Sequence, residues 1–133
     1  MDASTVGLKY QQSSMKIYIH RMDVNQLSTE LKKAGRSERA KQMERYMKDR
    51  FPFLGVQSAE RKRILRDHLR ANGLPTDDQW KPIIQTCWNH SVREMHYCAM
   101  EVAERCKQYW DERTPELFEW MVLHKPWWDT IDL

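Results

Sequence analysis

A cluster of aromatic and acidic residues near the end of the chain has the most evident chemistry. Residues 127–132 read WWDTID. If a helix begins at Pro126, Trp128 and Asp132 are four residues apart and share one face. An indole face attracts a cation by about 0.5–2 kcal/mol, and opposite charges ~4 Å apart interact by roughly 4 kcal/mol at an effective dielectric of 20. Confined to a cationic transition state, that stabilisation corresponds to about a thousandfold in rate.

The same cluster also has a purely structural interpretation. Asp129 falls in the first turn of the predicted helix, where a negative charge favours the helix N-terminus. The two tryptophans then belong to a core and Asp132 to the surface. The residues alone leave both interpretations open.

A second candidate region mixes aromatic rings, cations and a glycine between two predicted helices. It spans residues 46–57, YMKDRFPFLGVQ, and Ser58 then begins a helix that carries Arg61, Lys62, Arg63 and Arg66. Free backbone N–H groups at a helix start, with arginines nearby, can hold a phosphate. The alternative is a packed connecting loop with a solvated basic helix behind it.

Other chemistries lack support in the sequence. The histidines stand apart, with no HxxxH and no mixed Cys/His group at ligand spacing, so we expect no metal. The sequence has no GxxxxGK[ST], GxGxxG or GxSxG, and we expect no cofactor. Unpaired cysteines without a CxxC motif indicate reduced thiols in an intracellular, cytoplasmic protein. The histidines are His20, His68, His90, His96 and His124, and the cysteines are Cys87, Cys98 and Cys106.

The charge is unevenly divided along the 133 residues. The net charge is only +3, yet residues 32–70 hold thirteen Lys or Arg against five Asp or Glu. Residues 71–133 hold six against eleven. A basic face of this size suits a phosphate-rich partner, although internal charge pairing on a solvated helix is the alternative. No apolar stretch approaches the roughly 18 residues that a membrane helix needs.

The apolar spacing predicts successive amphipathic helices from Val24 onward. Gly35 is expected to end the first, and Ser37 to cap a second that carries Ala40, Met43, Tyr46 and Met47 on one face. Further helices are expected from Ser58 to Asn72, from Thr76, from Ser91 (the longest), from Thr114 and from Pro126. Short connections favour an all-α fold of antiparallel helical repeats, an α-solenoid rather than a bundle. Residues 15–22 fit a strand or a short helix equally well.

The segments YMKDRFPFLGVQSAERKRIL and HKPWWDTIDL closely resemble the AlkD-type DNA alkylation repair proteins, which are HEAT-like α-solenoid DNA glycosylases. The resemblance spans about residues 24–133. It implies domain boundaries of 1–22 for an N-terminal extension and 23–133 for the N-terminal part of a HEAT-like repeat domain. We therefore expect the sequence to be part of a longer domain, and its concentrated C-terminal aromatic residues to offer a surface for self-association.

The resemblance also implies an activity and its residues. Family members excise positively charged N3- or N7-alkylated purines from double-stranded DNA, using neither a metal nor an organic cofactor. Asp132 takes the place of the carboxylate that stabilises the oxocarbenium-like sugar and positions water. Trp128 and Tyr46 line the same cleft, and DNA contacts are expected from Gln57, Arg61, Arg63 and Trp127.

Two other functions remain open from the sequence. The family includes members that bind DNA structure without excising bases, so a non-catalytic module for distorted or branched DNA is one alternative. A protein–protein scaffold, a common use of helical solenoids, is the other. Retained DNA binding without base release would favour the first, and loss of all DNA affinity at low salt would favour the second.

Overall fold

The computed structural model describes residues 22–125 and four short backbone stretches before them, at 4–5, 7–9, 11–12 and 15–16. Residues 22–125 form an all-α fold. Its helices are α1 (Val24–Ala34), α2 (Ser37–Tyr46), α3 (Ser58–Asn72), α4 (Trp80–Trp88), α5 (Arg93–Arg105) and α6 (Thr114–Leu123), with a 3₁₀ turn at Lys107–Tyr109. The N-terminal stretches are strands β1 (Ser4–Thr5), β2 (Gly7–Lys9), β3 (Gln11–Gln12) and β4 (Met15–Lys16). β1 pairs with β2 in parallel and β3 with β4 antiparallel.

Local signals fix the ends of several helices. Asp23 caps α1, because its carboxylate accepts a hydrogen bond from the Gln26 backbone N–H at 3.1 Å. Gly35 ends α1 as predicted. Pro115 occupies the first turn of α6, where its missing N–H costs nothing. The predicted starts of α1 and α6 are therefore confirmed.

Other expected boundaries are wrong by small amounts. Ser37 and Ser58 are the first helical residues rather than caps, and no side-chain cap precedes either helix. α4 begins at Trp80, because Thr76 opens only a turn, in which its carbonyl accepts the Trp80 N–H at 3.0 Å. α5 has 13 residues and α3 has 15, so the helix after Ser91 is not the longest.

The main hydrophobic core is built around α4 and α5, which a short connection brings against each other. Trp80, Ile84 and Met95 are fully buried. Trp88 is buried as well, and its indole Nε1–H donates to the Met121 carbonyl at 3.0 Å, which ties α4 to α6. This hydrogen bond satisfies the indole N–H and fixes the orientation of the buried ring. None of the described helices is long and apolar enough to span a membrane.

A second cluster packs α2 against the loop that follows it. Ala40, Met47 and Phe53 form its buried centre. Gly55 has a φ of 90°, and a Cβ there would overlap the Arg36 carbonyl oxygen. Only glycine, which has no Cβ, tolerates both the left-handed backbone and the close approach of the Arg36 carbonyl. The loop after α2 is thereby locked against the connection between α1 and α2.

Candidate functional site

A groove of about 880 Å³ opens between α2, α3 and α5. Apolar and aromatic side chains line it together with two cations from α3 and two carboxylates from α5. The residues that line it are Gln42, Met43, Tyr46, Met47, Phe53, Val56, Ser58, Arg61, Lys62, Tyr97, Met100, Glu101 and Glu104. Tyr46, expected in the catalytic cleft, and Arg61, expected to contact DNA, therefore line the same groove.

Tyr46 presents an aromatic ring to solvent at the edge of this groove. It is the last residue of α2 and 69% exposed, whereas the next residue, Met47, is buried. The sequence placed both on one apolar face, and for Tyr46 this expectation is wrong. The helix ends at Tyr46, and Lys48 and Asp49 adopt positive φ values of 59° and 57°. The chain therefore turns away immediately after the ring.

Arg61 is the basic residue most closely built into the groove. Its guanidinium lies 4.7 Å from the centre of the Tyr97 ring, within the range of a cation–π contact. Its Nε is buried and has no hydrogen-bond partner among the described residues. The ring supports the cation from one side. Arg61 is thus held against the ring, with its Nε–H shielded from solvent.

Gln57 and Arg63 lie outside the set of lining residues. Gln57 is exposed at the position preceding α3, next to Ser58 in the groove wall. Arg63 faces the outer surface of α3, where it pairs with Asp67 at 3.3 Å and with Glu60 at 4.0 Å. These exposed pairs contribute little to stability. They match the charge pairing that the sequence left open as an alternative for this helix.

The other predicted site residues, Trp127, Trp128 and Asp132, fall outside the described part of the chain. Within residues 22–125 and the short stretches before them, no group of three or more His, Cys, Asp or Glu side chains could hold a metal ion.

Glu94 shapes the loop that follows Tyr46, a role that its sequence context does not reveal. One carboxylate oxygen accepts the Leu54 N–H at 2.9 Å, and the other accepts those of Gly55 and Val56 at 2.9 and 3.2 Å. The side chain is fully buried. The N–H groups of a non-repetitive loop need partners when water is excluded, and Glu94 provides three of them. The only sequence signal was a charged pair at the start of a strongly apolar helix.

Arg93, the other member of that pair, is also fully buried. Its guanidinium lies 3.9 Å from the centre of the Phe51 ring, and it donates to His96 Nδ1 at 3.0 Å. His96 therefore carries its proton on Nε2, which donates to the His90 carbonyl at 2.6 Å. Desolvation by burial lowers the pKa of His96 to about 4. The imidazole is neutral at pH 7 and acts as an acceptor for Arg93.

Together these features define an all-α module whose groove combines an exposed aromatic ring with a supported arginine and a basic helix. In nucleic-acid-binding proteins, cations of this kind meet phosphates and exposed rings meet sugars or bases.

Comparison with known proteins agrees with this class. The family described as DNA alkylation repair enzyme matches residues 27–133, and the chain belongs to that family. No match was found among curated protein sequences. The fold is similar to the solved structure of a predicted DNA alkylation repair enzyme from Enterococcus faecalis, with a TM-score of 0.67 and 26% sequence identity. The match covers 74% of this chain and 46% of that one, so the chain spans less than half the length of that relative. The all-α architecture is compatible with an α-solenoid.

Proposed function

We propose that this chain acts in a DNA glycosylase that excises cationic N3- or N7-alkylated purines from duplex DNA. The observation that carries the proposal is the groove that Tyr46 and Arg61 both line, in a chain of the DNA alkylation repair family. Its exposed ring and supported cation suit a sugar–phosphate backbone. No metal or organic cofactor takes part in the proposed reaction.

The proposed grip on DNA begins at the N-terminus of α3. Ser58 and Lys62 line the groove beside Arg61, and Gln57 is exposed just before them. Backbone N–H groups at a helix start and the positive end of the helix dipole favour a phosphate there. Arg63 contacts DNA by exchanging its exposed ion pairs with Asp67 and Glu60 for a phosphate, and Trp127 contacts the DNA further along.

The proposed chemistry lies with Asp132 and Trp128. An alkylated purine carries a positive charge, which already weakens its bond to the sugar. As that bond breaks, the sugar becomes oxocarbenium-like, and a carboxylate stabilises the developing cation and orients water. Asp132 has this role, and the Trp128 and Tyr46 rings pack around the sugar.

A base-release assay tests the proposal directly. The protein is incubated with a duplex carrying one N7-methylguanine, and strand scission after alkali reports base loss. We expect release that is abolished in Asp132→Asn and retained in Asp129→Asn, a matched change three residues earlier in the same motif. Equal release from both variants would contradict the role of Asp132. No release from the wild-type chain would contradict glycosylase activity of this chain.

A second assay tests the groove separately from catalysis. Binding to undamaged duplex is measured at several salt concentrations by fluorescence anisotropy. Arg61→Gln should weaken binding. It should also reduce the slope of log K against log salt concentration by the amount expected for about one lost phosphate contact. Arg70→Gln, on the exposed end of the same helix, is the matched control for charge. Identical slopes for the two variants would contradict binding through the groove.

The cations Arg61 and Lys62 near the start of α3 also favour a second candidate function, a non-catalytic module that binds distorted or branched DNA. The phosphate-binding part of the proposal lies wholly within the described residues, independent of Asp132. Tight, salt-dependent binding to branched DNA without base release would select this function.

A further inference from the structure

The backbone at Lys125 has an unusual conformation just before the segment that carries Trp128 and Asp132. Lys125 has a φ of 63° and immediately precedes Pro126. A residue before proline normally prefers an extended backbone, and left-handed geometry is uncommon for any residue other than glycine. This conformation persists only if its surroundings hold it.

Two buried side chains hold this turn from the α4–α5 side. The Arg93 Nη1 donates to the Lys125 carbonyl at 3.2 Å. The Trp88 Nε1–H is shared between the carbonyls of Met121 and His124, the residue before Lys125. Because both side chains are buried, water competes poorly for these carbonyls.

Arg93 also holds the loop that follows Tyr46. Its guanidinium lies against the Phe51 ring at 3.9 Å, and its backbone N–H donates to the Pro52 carbonyl at 2.9 Å. One buried residue therefore contacts both segments in which the sequence places candidate chemistry. A planar guanidinium suits this task, since it stacks on a ring while donating from its edge.

Core packing alone does not account for an arginine at this position. Burial of a cation carries a desolvation penalty that an apolar side chain of similar volume avoids. His96 is neutral and oriented by His90, so that its Nδ1 accepts from Arg93 at 3.0 Å. The environment is thus organised to keep the guanidinium in one orientation.

We propose that Arg93 is a positioning residue, which holds the left-handed turn at Lys125 against the loop after Tyr46, immediately before the residues proposed to act on the sugar. The effect on base release rests on the proposed glycosylase function. The effect on the turn does not.

The experiment compares Arg93→Met and Arg93→Lys with Arg105→Met, a charge-matched control on the same helix. The 133-residue chain is used, and near-ultraviolet circular dichroism verifies that each variant is folded. Amide hydrogen exchange by NMR follows His124 and, as an internal reference, Gly73, whose N–H donates to the Leu69 carbonyl at 2.7 Å at the end of α3. We expect exchange at His124 to accelerate at least tenfold in Arg93→Met, less in Arg93→Lys and not in the control, with Gly73 unchanged.

Single-turnover base release and DNA affinity form the second arm. A misplaced catalytic group loses about ten- to a hundredfold in rate, so Arg93→Met should slow release by that factor and leave Kd within about twofold. Adding Lys125→Gly to Arg93→Met should raise the rate of base release at least threefold above that of Arg93→Met alone, because glycine adopts the left-handed turn without support.

Two results would overturn the inference. One is unchanged His124 exchange in Arg93→Met. The other is parallel loss of affinity and rate without rescue by glycine, which would mean that Arg93 supports the fold generally. If the wild-type chain releases no base, the glycosylase proposal fails for this chain, while the exchange arm still decides whether Arg93 holds the turn.

Discussion

Replacing Glu94 by glutamine exchanges one carboxylate oxygen for an NH₂ group at the centre of three backbone hydrogen bonds. The carboxylate accepts from Leu54 with one oxygen and from Gly55 and Val56 with the other. Whichever way the amide is oriented, its NH₂ faces at least one backbone N–H, and two donors cannot bond to each other. The remaining oxygen keeps its bonds but loses its negative charge.

The magnitude follows from the bonds that are lost or weakened. A hydrogen bond to a charged group contributes about 1.5–3 kcal/mol, and a buried donor left without a partner costs about 1–3 kcal/mol. With at least one such bond lost and the others weakened, we expect Glu94→Gln to lower the free energy of unfolding by about 3 kcal/mol. That is a large part of the roughly 5–15 kcal/mol typical of a domain.

Urea unfolding followed by circular dichroism at 222 nm measures this loss. Glu104→Gln is the matched control, because it makes the same change on α5 at a largely exposed side chain that pairs with Lys107 at 3.5 Å. The control should change stability by no more than about 0.5 kcal/mol. If both variants unfold within about 1 kcal/mol of the wild type with equal m-values, the assigned role of Glu94 is refuted.

Three further predictions concern the backbone, a buried imidazole and the thiols. Gly55→Ala should lower the free energy of unfolding by several kcal/mol, because its Cβ meets the Arg36 carbonyl. Strained and overpacked positions cost amounts of this order. A change below about 1 kcal/mol in urea unfolding would contradict this. Because the pKa of His96 falls from 6.5 to about 4 in the folded state, the unfolded chain binds the extra proton first as pH drops. The free energy of unfolding should therefore fall between pH 6.5 and 4, by about 2 kcal/mol at pH 5; His96→Gln should remove this part of the pH dependence, and an unaltered pH profile would count against it. Burial raises the pKa of Cys87 to about 12. The thiols of the folded protein should therefore react far more slowly with a disulfide reagent than those of the urea-unfolded chain. Equal rates would contradict the buried, protonated state.

The elements that the sequence predicted well are those with strong local signals. The spacing of Leu27 and Leu31 defines the buried face of α1, and Gly35 ends that helix. Thr114 and Pro115 define the start of α6 in the same way. Each of these signals acts within one or two helical turns, so no knowledge of distant contacts is needed.

The errors arise where tertiary contacts decide. Tyr46 fits the apolar periodicity of α2, yet the helix ends there and the ring faces the groove. Glu94 has no local feature that reveals its partners, which lie some forty residues earlier. Only the fold brings the Tyr97 ring beneath the Arg61 guanidinium, and the expected DNA contact of Arg61 stays a prediction. The proposed roles of Gln57 and Asp132 stay predictions.

The distance along the chain between Glu94 and its loop has a consequence for folding. Residues 54–56 and residue 94 are separated by 38 to 40 positions, which include all of α3 and α4. The loop cannot acquire these acceptors until the intervening helices have formed and brought α5 into place, so closing it is a non-local and late event. During synthesis, the loop after α2 will therefore acquire these acceptors only after α5 has emerged. Once docked, the amides of residues 54–56 should open only when the whole domain opens, which makes this loop among the most slowly exchanging segments without regular secondary structure.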